Sequence, residues 1–270
     1  LNLPRYALKS DGDINKFMDI MKENFRLAIK KHVYKFNKLR GVKASSNPLF
    51  FCEGGCHIQL NPNDTIEEAI KTFTWSIGYI GLDEVTRYFL NKGIHEENNL
   101  AILILQALQE WIDEAKEETG LMLALYSTPS ESLCYRFLLA DKKDFGVVKG
   151  VTDKELDKQD IEKPMFDIAK GGRIVYNEFP HTHNKEAILQ CINYAMSQGL
   201  YYGVNLQLDT CLDCGSHGEF TGGLCNNCGS DHVLSINRVC GYLGYSVVDK
   251  DTRFNKGKLA EKNDRVDHFE

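Results

Sequence analysis

Four cysteines near the C-terminal end constrain this chain more than any other feature. Cys211 and Cys214 form one C-x2-C pair, and Cys225 and Cys228 form a second after a ten-residue spacer. The spacing is that of paired metal knuckles. Gly215 and Gly229 stand directly after the second cysteine of each pair, where the chain must turn so that backbone amides face the sulfurs. Four thiolates around a tetrahedral Zn2+ make a closed structural site with no position left for substrate. A redox dithiol pair, or iron in place of zinc, is the alternative. His217 and His232 lie nearby, but four cysteines already saturate a metal, so both are expected at the surface. The cluster stands directly ahead of "RVCGYLGYSVVDKDTRFNKGK" and is placed to hold that segment.

The chain has 270 residues, enough for one large or two smaller cores. Its nine cysteines are an odd number with four at metal spacing, which fits a reducing, cytoplasmic setting better than a disulfide framework. A net charge of −6 argues against a general nucleic-acid or membrane-surface binder. No stretch has the length of a transmembrane helix, and "LNLPRYALKS" lacks a signal-peptide layout.

Residues 1–8 read as a strand already in progress, which suggests a piece of something longer. Residues 13–40 carry Ile14, Phe17, Ile20, Met21, Phe25, Leu27 and Ala28 at helical spacing. Residues 48–60 read as extended around Gly54 and Gly55. In "NDTIEEAIKTF", Asp64 or Thr65 ahead of Glu67 and Glu68 forms a capping pattern. A second amphipathic helix over 98–119 stops at Gly120. "LMLALYS" (121–127) is a continuous apolar run, as in a strand buried on both faces. "RIVYNEF" (173–179) and "GLYYGVNLQL" (199–208) read as strands with a helix over 184–198 between them. Long helices alternating with buried strands define an α/β layout. From residue 209 the texture turns to Gly, Cys and Asn, a metal-bound appendix without a core of its own.

The run "RVCGY" resembles the signature of the glycyl radical enzymes, in which Arg-Val-x-Gly-Tyr carries the radical glycine. The matching residue is Gly241; Gly244 lies outside the motif. Removing an α-hydrogen leaves a planar carbon radical delocalised between the flanking amides, a geometry that a side chain would crowd. The four-cysteine site together with this glycine resembles one branch, the class III (anaerobic) ribonucleoside-triphosphate reductases. "LNLPRYAL", "SIGYIGLDE", "LYSTPSESLCYRF", "FGVVKGVTD", "GGRIVYNEFP", the cysteine pairs, "RVCGYLG" and "RFNKGK" all resemble segments of that family, in its order.

The resemblance implies the second half of a ten-stranded α/β barrel over 1–208, a zinc-binding segment over 209–235, and a glycyl radical loop with a C-terminal tail over 236–270. It implies reduction of ribonucleoside triphosphates to deoxyribonucleotides without oxygen. A separate activase with an iron–sulfur cluster and S-adenosylmethionine would place the radical on Gly241. Gly241 would pass it to a cysteine that abstracts the ribose 3′-hydrogen, and the 2′-hydroxyl would leave as water. That cysteine belongs to a first barrel half that this chain lacks. Family members also carry about twenty further residues between the positions of Glu155 and Leu156. The expectation is therefore a fragment, inactive alone, whose complete enzyme is a homodimer.

"STPSES" (127–132) follows a buried strand and precedes a helix. Thr128 or Ser130 can cap that helix, and Pro129 suits its first turn. A helix start offers amides and a positive dipole end to an anion, so Thr128, Ser130 and Ser132 are candidates for substrate phosphate as well as for a plain cap. "GYIGLDE" (78–84) suits either substrate approach or tight packing. Cys52 and Cys56 are expected as ordinary thiols, Cys134 and Cys191 in the core, and His181 and His183 in a loop. Two rivals stand beside the reductase reading. One is another glycyl radical enzyme of acyltransferase or lyase type, and the other is a zinc-ribbon binding module.

Overall fold

The computed structural model describes residues 1–128, 132–153, 168–169, 171, 174–179, 184–197, 201–239 and 242–263. The first segment is helical where a strand is expected. Helix α1 (Leu3–Lys9) has Pro4 in its first turn, and the Asn2 side chain accepts from the Arg5 amide. A proline there is already set at the helical φ and lacks only an N–H that would go unpaired. Strand character survives at its edge, where Asn2 bridges Ile80 in parallel.

Helix α2 (Ile14–Leu39) starts on Asp13, whose carboxylate accepts from the Asn15 and Lys16 amides. Its buried face is Phe17, Met21, Phe25 and Ile29, a four-residue repeat on one side of the helix. A short 3-10 turn (Ala44–Ser46) leads to α3 (Pro48–Phe51), a helical turn inside the stretch expected to be extended. Helix α4 (Glu67–Lys71) has Ile66 at its N-cap and no side-chain cap. Asp64 instead accepts from the backbone and side chain of Asn61.

Strand β1 (Trp75–Tyr79), helices α5 (Leu82–Leu90) and α6 (Asn99–Thr119), and strand β2 (Leu123–Ser127) follow in that order. Helix α6 ends on Gly120 at φ 67°, a left-handed C-cap that suits glycine. Strands β1 and β2 pair in parallel, Trp75 with Leu123 through Tyr79 with Ser127. Exposure alternates along β2, so it is covered more completely on one face than on the other. The main core joins α2 to Ile104, Leu105, Leu108 and Ile112 of α6 and to Ile77, Tyr79 and Leu125 of the strands. Each such side chain contributes about 1.5–3 kcal/mol of burial.

Helix α7 (Ser132–Phe145) follows β2. Strand β3 (Ile174–Phe179), helix α8 (Lys185–Ser197) and strand β4 (Tyr201–Leu206) form a parallel βαβ unit, Ile174 paired with Tyr201 through Phe179 with Leu206. Strands β5 (Leu208–Cys211), β6 (His217–Gly218), β7 (Val233–Val239) and β8 (Tyr242–Val248) make an antiparallel sheet in the order β6-β5-β7-β8. Helix α9 (Lys256–Asn263) comes last. The cysteine-rich segment is thus built on a sheet, with a small buried cluster of Cys211, Phe220, Cys225 and Val233. No helix among the described residues is long and apolar enough to cross a membrane.

Candidate functional site

The two C-x2-C turns are near copies. The Cys211 amide donates to Ser216 O at 2.9 Å, and the Gly215 amide donates to Cys211 O at 3.0 Å. In the second turn Cys225 donates to Ser230 O and Gly229 to Cys225 O, each at 2.8 Å. Gly215 and Gly229 sit at φ 71° and 74°, the left-handed turn expected of them. This folds the four sulfurs to within 4.8 Å of one another, with Cys211 and Cys225 buried and Cys214 and Cys228 facing out. The closest contacts are Cys211 to Cys228 and Cys214 to Cys225, each 3.6 Å. Sulfurs about 2.3 Å from a tetrahedral centre would lie about 3.8 Å apart, so the cage has the size zinc needs.

The cage also has the charge pattern of a cation site. The Cys214 thiol is pulled down to about 5 by the Ser216 hydroxyl and amide and by the Asn227 side chain. At Cys228 the Ser230 amide favours the thiolate, but the crowding sulfurs of Cys214 and Cys211 outweigh it and push the thiol up to about 12. Four sulfurs this close cannot all ionise unaided, and a divalent cation relieves that repulsion. Residues 211, 214, 225 and 228 therefore fit a metal. His217 pairs with Thr210, and His232 lies 3.3 Å from Asp213, both at the surface. The supporting serines Ser216 and Ser230 belong to a C-G-S triplet that occurs twice, at 214–216 and 228–230, a repeat that marks them in the sequence.

The cysteine sheet continues directly into the glycine hairpin. Strands β7 and β8 pair from Leu234 with Val248 to Val239 with Tyr242. Cys240 and Gly241 fall between those last two partners and lie outside the described residues. The flanking side chains are held from several directions. The Arg238 guanidinium lies 4.5 Å from the centre of the Tyr176 ring on β3. The Tyr242 ring meets Phe254 edge-on at 6.0 Å and carries the Lys258 ammonium at 3.7 Å. Lys258 is only 6% exposed, although it belongs to a tail that reads as plainly basic. Gly257 packs against Tyr135 in the first turn of α7, where a Cβ would come within 2.8 Å of the ring. The tail thus bridges the hairpin and α7, which no periodicity in the sequence signals. At Gly244, a Cβ would press on the Tyr242 ring at 2.5 Å.

Thr128 follows β2 and lies against Gly78 of β1, where a Cβ would meet its methyl group at 3.1 Å. Ser127 and Thr128 therefore meet Gly78 and Tyr79 at the C-terminal ends of two parallel strands, the edge where open α/β sheets place ligands. Ser130 lies outside the described residues. Ser132 opens α7, but its side chain is outside them, as are His181 and His183. Cys134 is buried and Cys191 half-buried; Cys52 and Cys56 are free thiols beside the small Phe51–Ile70 cluster.

This arrangement is the fold of the anaerobic ribonucleotide reductases. A solved anaerobic ribonucleotide reductase superposes on all of the chain and 42% of its own length, with a TM-score of 0.67 at 20% identity. The Thermotoga maritima enzyme in complex with dATP and CTP superposes on 91% of the chain with a TM-score of 0.65, also at 20% identity. A family model described as anaerobic ribonucleoside-triphosphate reductase matches residues 1–268, and the chain belongs to that family. The anaerobic ribonucleoside-triphosphate reductase of Escherichia coli K12 is 38% identical over all of the chain and 42% of its own length. That of Enterobacteria phage T4 is 35% identical over 99% of the chain and 48% of its own length. The chain thus spans less than half the length of these relatives. The Escherichia coli alignment runs over 300 residues against the chain's 270, so the relative holds residues that this chain passes over.

Proposed function

We propose that this chain supplies the radical-bearing, C-terminal part of an enzyme that reduces ribonucleoside triphosphates to deoxyribonucleoside triphosphates. The observation that carries the reading is the continuity of one sheet from the four-sulfur cage to the strands flanking Gly241 in "RVCGYLG". Cys211, Cys214, Cys225 and Cys228 would hold Zn2+, which supplies a fixed structural centre and no open coordination position. Residues 1–208 would be the second half of the ten-stranded barrel, 209–235 the metal segment, and 236–270 the radical hairpin and tail. Family membership sets aside the acyltransferase, lyase and zinc-ribbon readings.

In this reading a separate S-adenosylmethionine and iron–sulfur activase removes an α-hydrogen from Gly241. Arg238 stacked on Tyr176, and Tyr242 held between Phe254 and Lys258, keep the neighbouring backbone still while the radical is stored. The radical then moves to a cysteine in the remaining N-terminal part of the reductase. Thr128, with Ser130 and Ser132, would position substrate phosphate at the start of α7, where free amides and the helix dipole favour an anion. The complete enzyme would act as a cytoplasmic homodimer.

The test uses the complete enzyme. Anaerobic treatment with the activase and S-adenosylmethionine should give an organic radical whose electron paramagnetic resonance signal is a doublet, split by the one α-hydrogen that remains. Admitting air should then cut the chain at Gly241. Gly241→Ala should abolish both the doublet and the cut; if either persists, the radical lies elsewhere.

A further inference from the structure

Behind the hairpin runs a chain of polar side chains, three of the four buried, that nothing in the proposed chemistry uses. The Phe220 amide, from the loop between the two knuckles, donates to Asp209 Oδ2 at 2.7 Å. The Phe220 ring packs on Cys211 and Cys225, so this amide is fixed to the metal cage. Gln207 Nε2 donates to the same Asp209 oxygen at 2.6 Å. Asn237 Nδ2 donates to Gln207 Oε1 at 3.0 Å, and the Ser246 hydroxyl donates to Asn237 Oδ1. Asp209, Asn237 and Ser246 are 2%, 1% and 1% exposed. The series crosses from β5 through β7 to β8.

Its far end sits on an irregularity. Ser235 pairs with Val247 and Ile236 with Tyr245, so Ser246 is the extra residue of a β-bulge. A bulge shifts every pair beyond it by one residue, and the extra residue, Ser246, is buried. Here the shifted pairs are the four that run from Ile236–Tyr245 to Val239–Tyr242. The bulge therefore sets how the two strands meet on either side of Cys240 and Gly241.

We propose that Asp209, Gln207, Asn237 and Ser246 form a positioning relay that couples metal occupancy of the four cysteines to the register of the β7–β8 hairpin. This rests on the reading of residues 211, 214, 225 and 228 as a metal site. Asp209 Oδ2, Gln207 Oε1 and Asn237 Oδ1 each accept from another member, and Asp209, Asn237 and Ser246 are out of water while Gln207 is half-buried between them. Removing one member leaves its neighbour unpaired in the interior, and that cost is felt along the series. Metal binding fixes Phe220 and Asp209, which fixes the bulge; by linkage, a held bulge must in turn favour metal binding.

The experiment is a double-mutant cycle read out as zinc affinity, measured on this chain by competition with a chelator. Ser246→Ala, far from the sulfurs, should weaken zinc binding by about fivefold to tenfold. Asn237→Asp, which sets an oxygen against Gln207 Oε1 with no change of size, should do the same. In a Gln207→Leu background neither change should alter zinc affinity further. Amide exchange gives the reciprocal measurement: chelation should expose Tyr242–Val248 in the unmodified chain and leave their exchange unchanged in Gln207→Leu. Zinc affinity that is indifferent to Ser246→Ala and Asn237→Asp, or equally sensitive in both backgrounds, overturns the relay and leaves the metal site standing. A chain that binds no zinc overturns the metal reading and the coupling with it.

Discussion

At the scale of single residues, the cysteines differ in what they contribute. Cys211 and Cys225 are buried in the small cluster with Phe220 and Val233, whereas Cys214 and Cys228 face solvent. Replacing Cys214 with Ser would therefore remove one of the proposed ligands and almost no packing. The expected result is loss of bound zinc, from about one per chain to almost none by elemental analysis, with the main core still folded. Full zinc content in Cys214→Ser would remove this residue from the ligand set. Holding a metal also requires thiolates, so acidification should release it as protons compete for the sulfurs.

Two contacts decide behaviour at the scale of elements. Helix α1 is tied to α7 by Arg5, which pairs with Asp141 at 2.6 Å and also with Asp144. The Arg5 hydrogen bond holds the Asp144 carboxyl below its usual range. A lowered carboxylate stabilises the fold above its unfolded pKa and loses that contribution as pH falls through the folded value. The Asp144 link should thus be intact at neutral pH and fade below about pH 4. It is exposed, so the effect is small. Asp144→Asn should melt slightly below the unmodified chain at pH 7 and together with it at low pH; an equal difference at both would show that the ion pair contributes nothing. The start of α7 carries the second prediction. In the complete enzyme, Ser130→Asp should weaken nucleotide binding by roughly tenfold or more, since a carboxylate would repel the phosphate proposed to bind at the helix start. Unchanged substrate affinity would leave residues 127–132 a structural cap only.

For the whole molecule, the proportions matter most. The chain matches its relatives from end to end but spans 42% of the Escherichia coli enzyme. Its described parallel strands stand as two separate pairs, β1 with β2 and β3 with β4. If the hydrogen-abstracting cysteine lies in the remaining part of the enzyme, as proposed, the chain prepared alone should fold and bind zinc without turning over ribonucleotide. Reduction of a ribonucleoside triphosphate by the isolated chain, after treatment with an activase, would refute that division of labour.

What the sequence determined by itself was local. The C-x2-C spacing and following glycines specify the knuckles, because ligand spacing and a left-handed turn are properties of five or six consecutive residues. The α2 and α6 helices were legible from 3.6-residue periodicity and, for α6, a stop at Gly120, whereas the Asp13 cap of α2 came from the structure. Tertiary structure decided the rest. "LNLPRYAL" alternates well enough for a strand; Pro4 and the Asn2 cap are local signals that make it a helix, and only its edge contact with Ile80 is tertiary. "LMLALYS" reads as buried on both faces, but only pairing with β1 shows which face is covered. The burial of Lys258 over Tyr242, the stacking of Arg238 on Tyr176, and the bulge at Ser246 join residues far apart in the chain. No local pattern encodes such meetings, because they follow from how sheets and helices pack once each has formed.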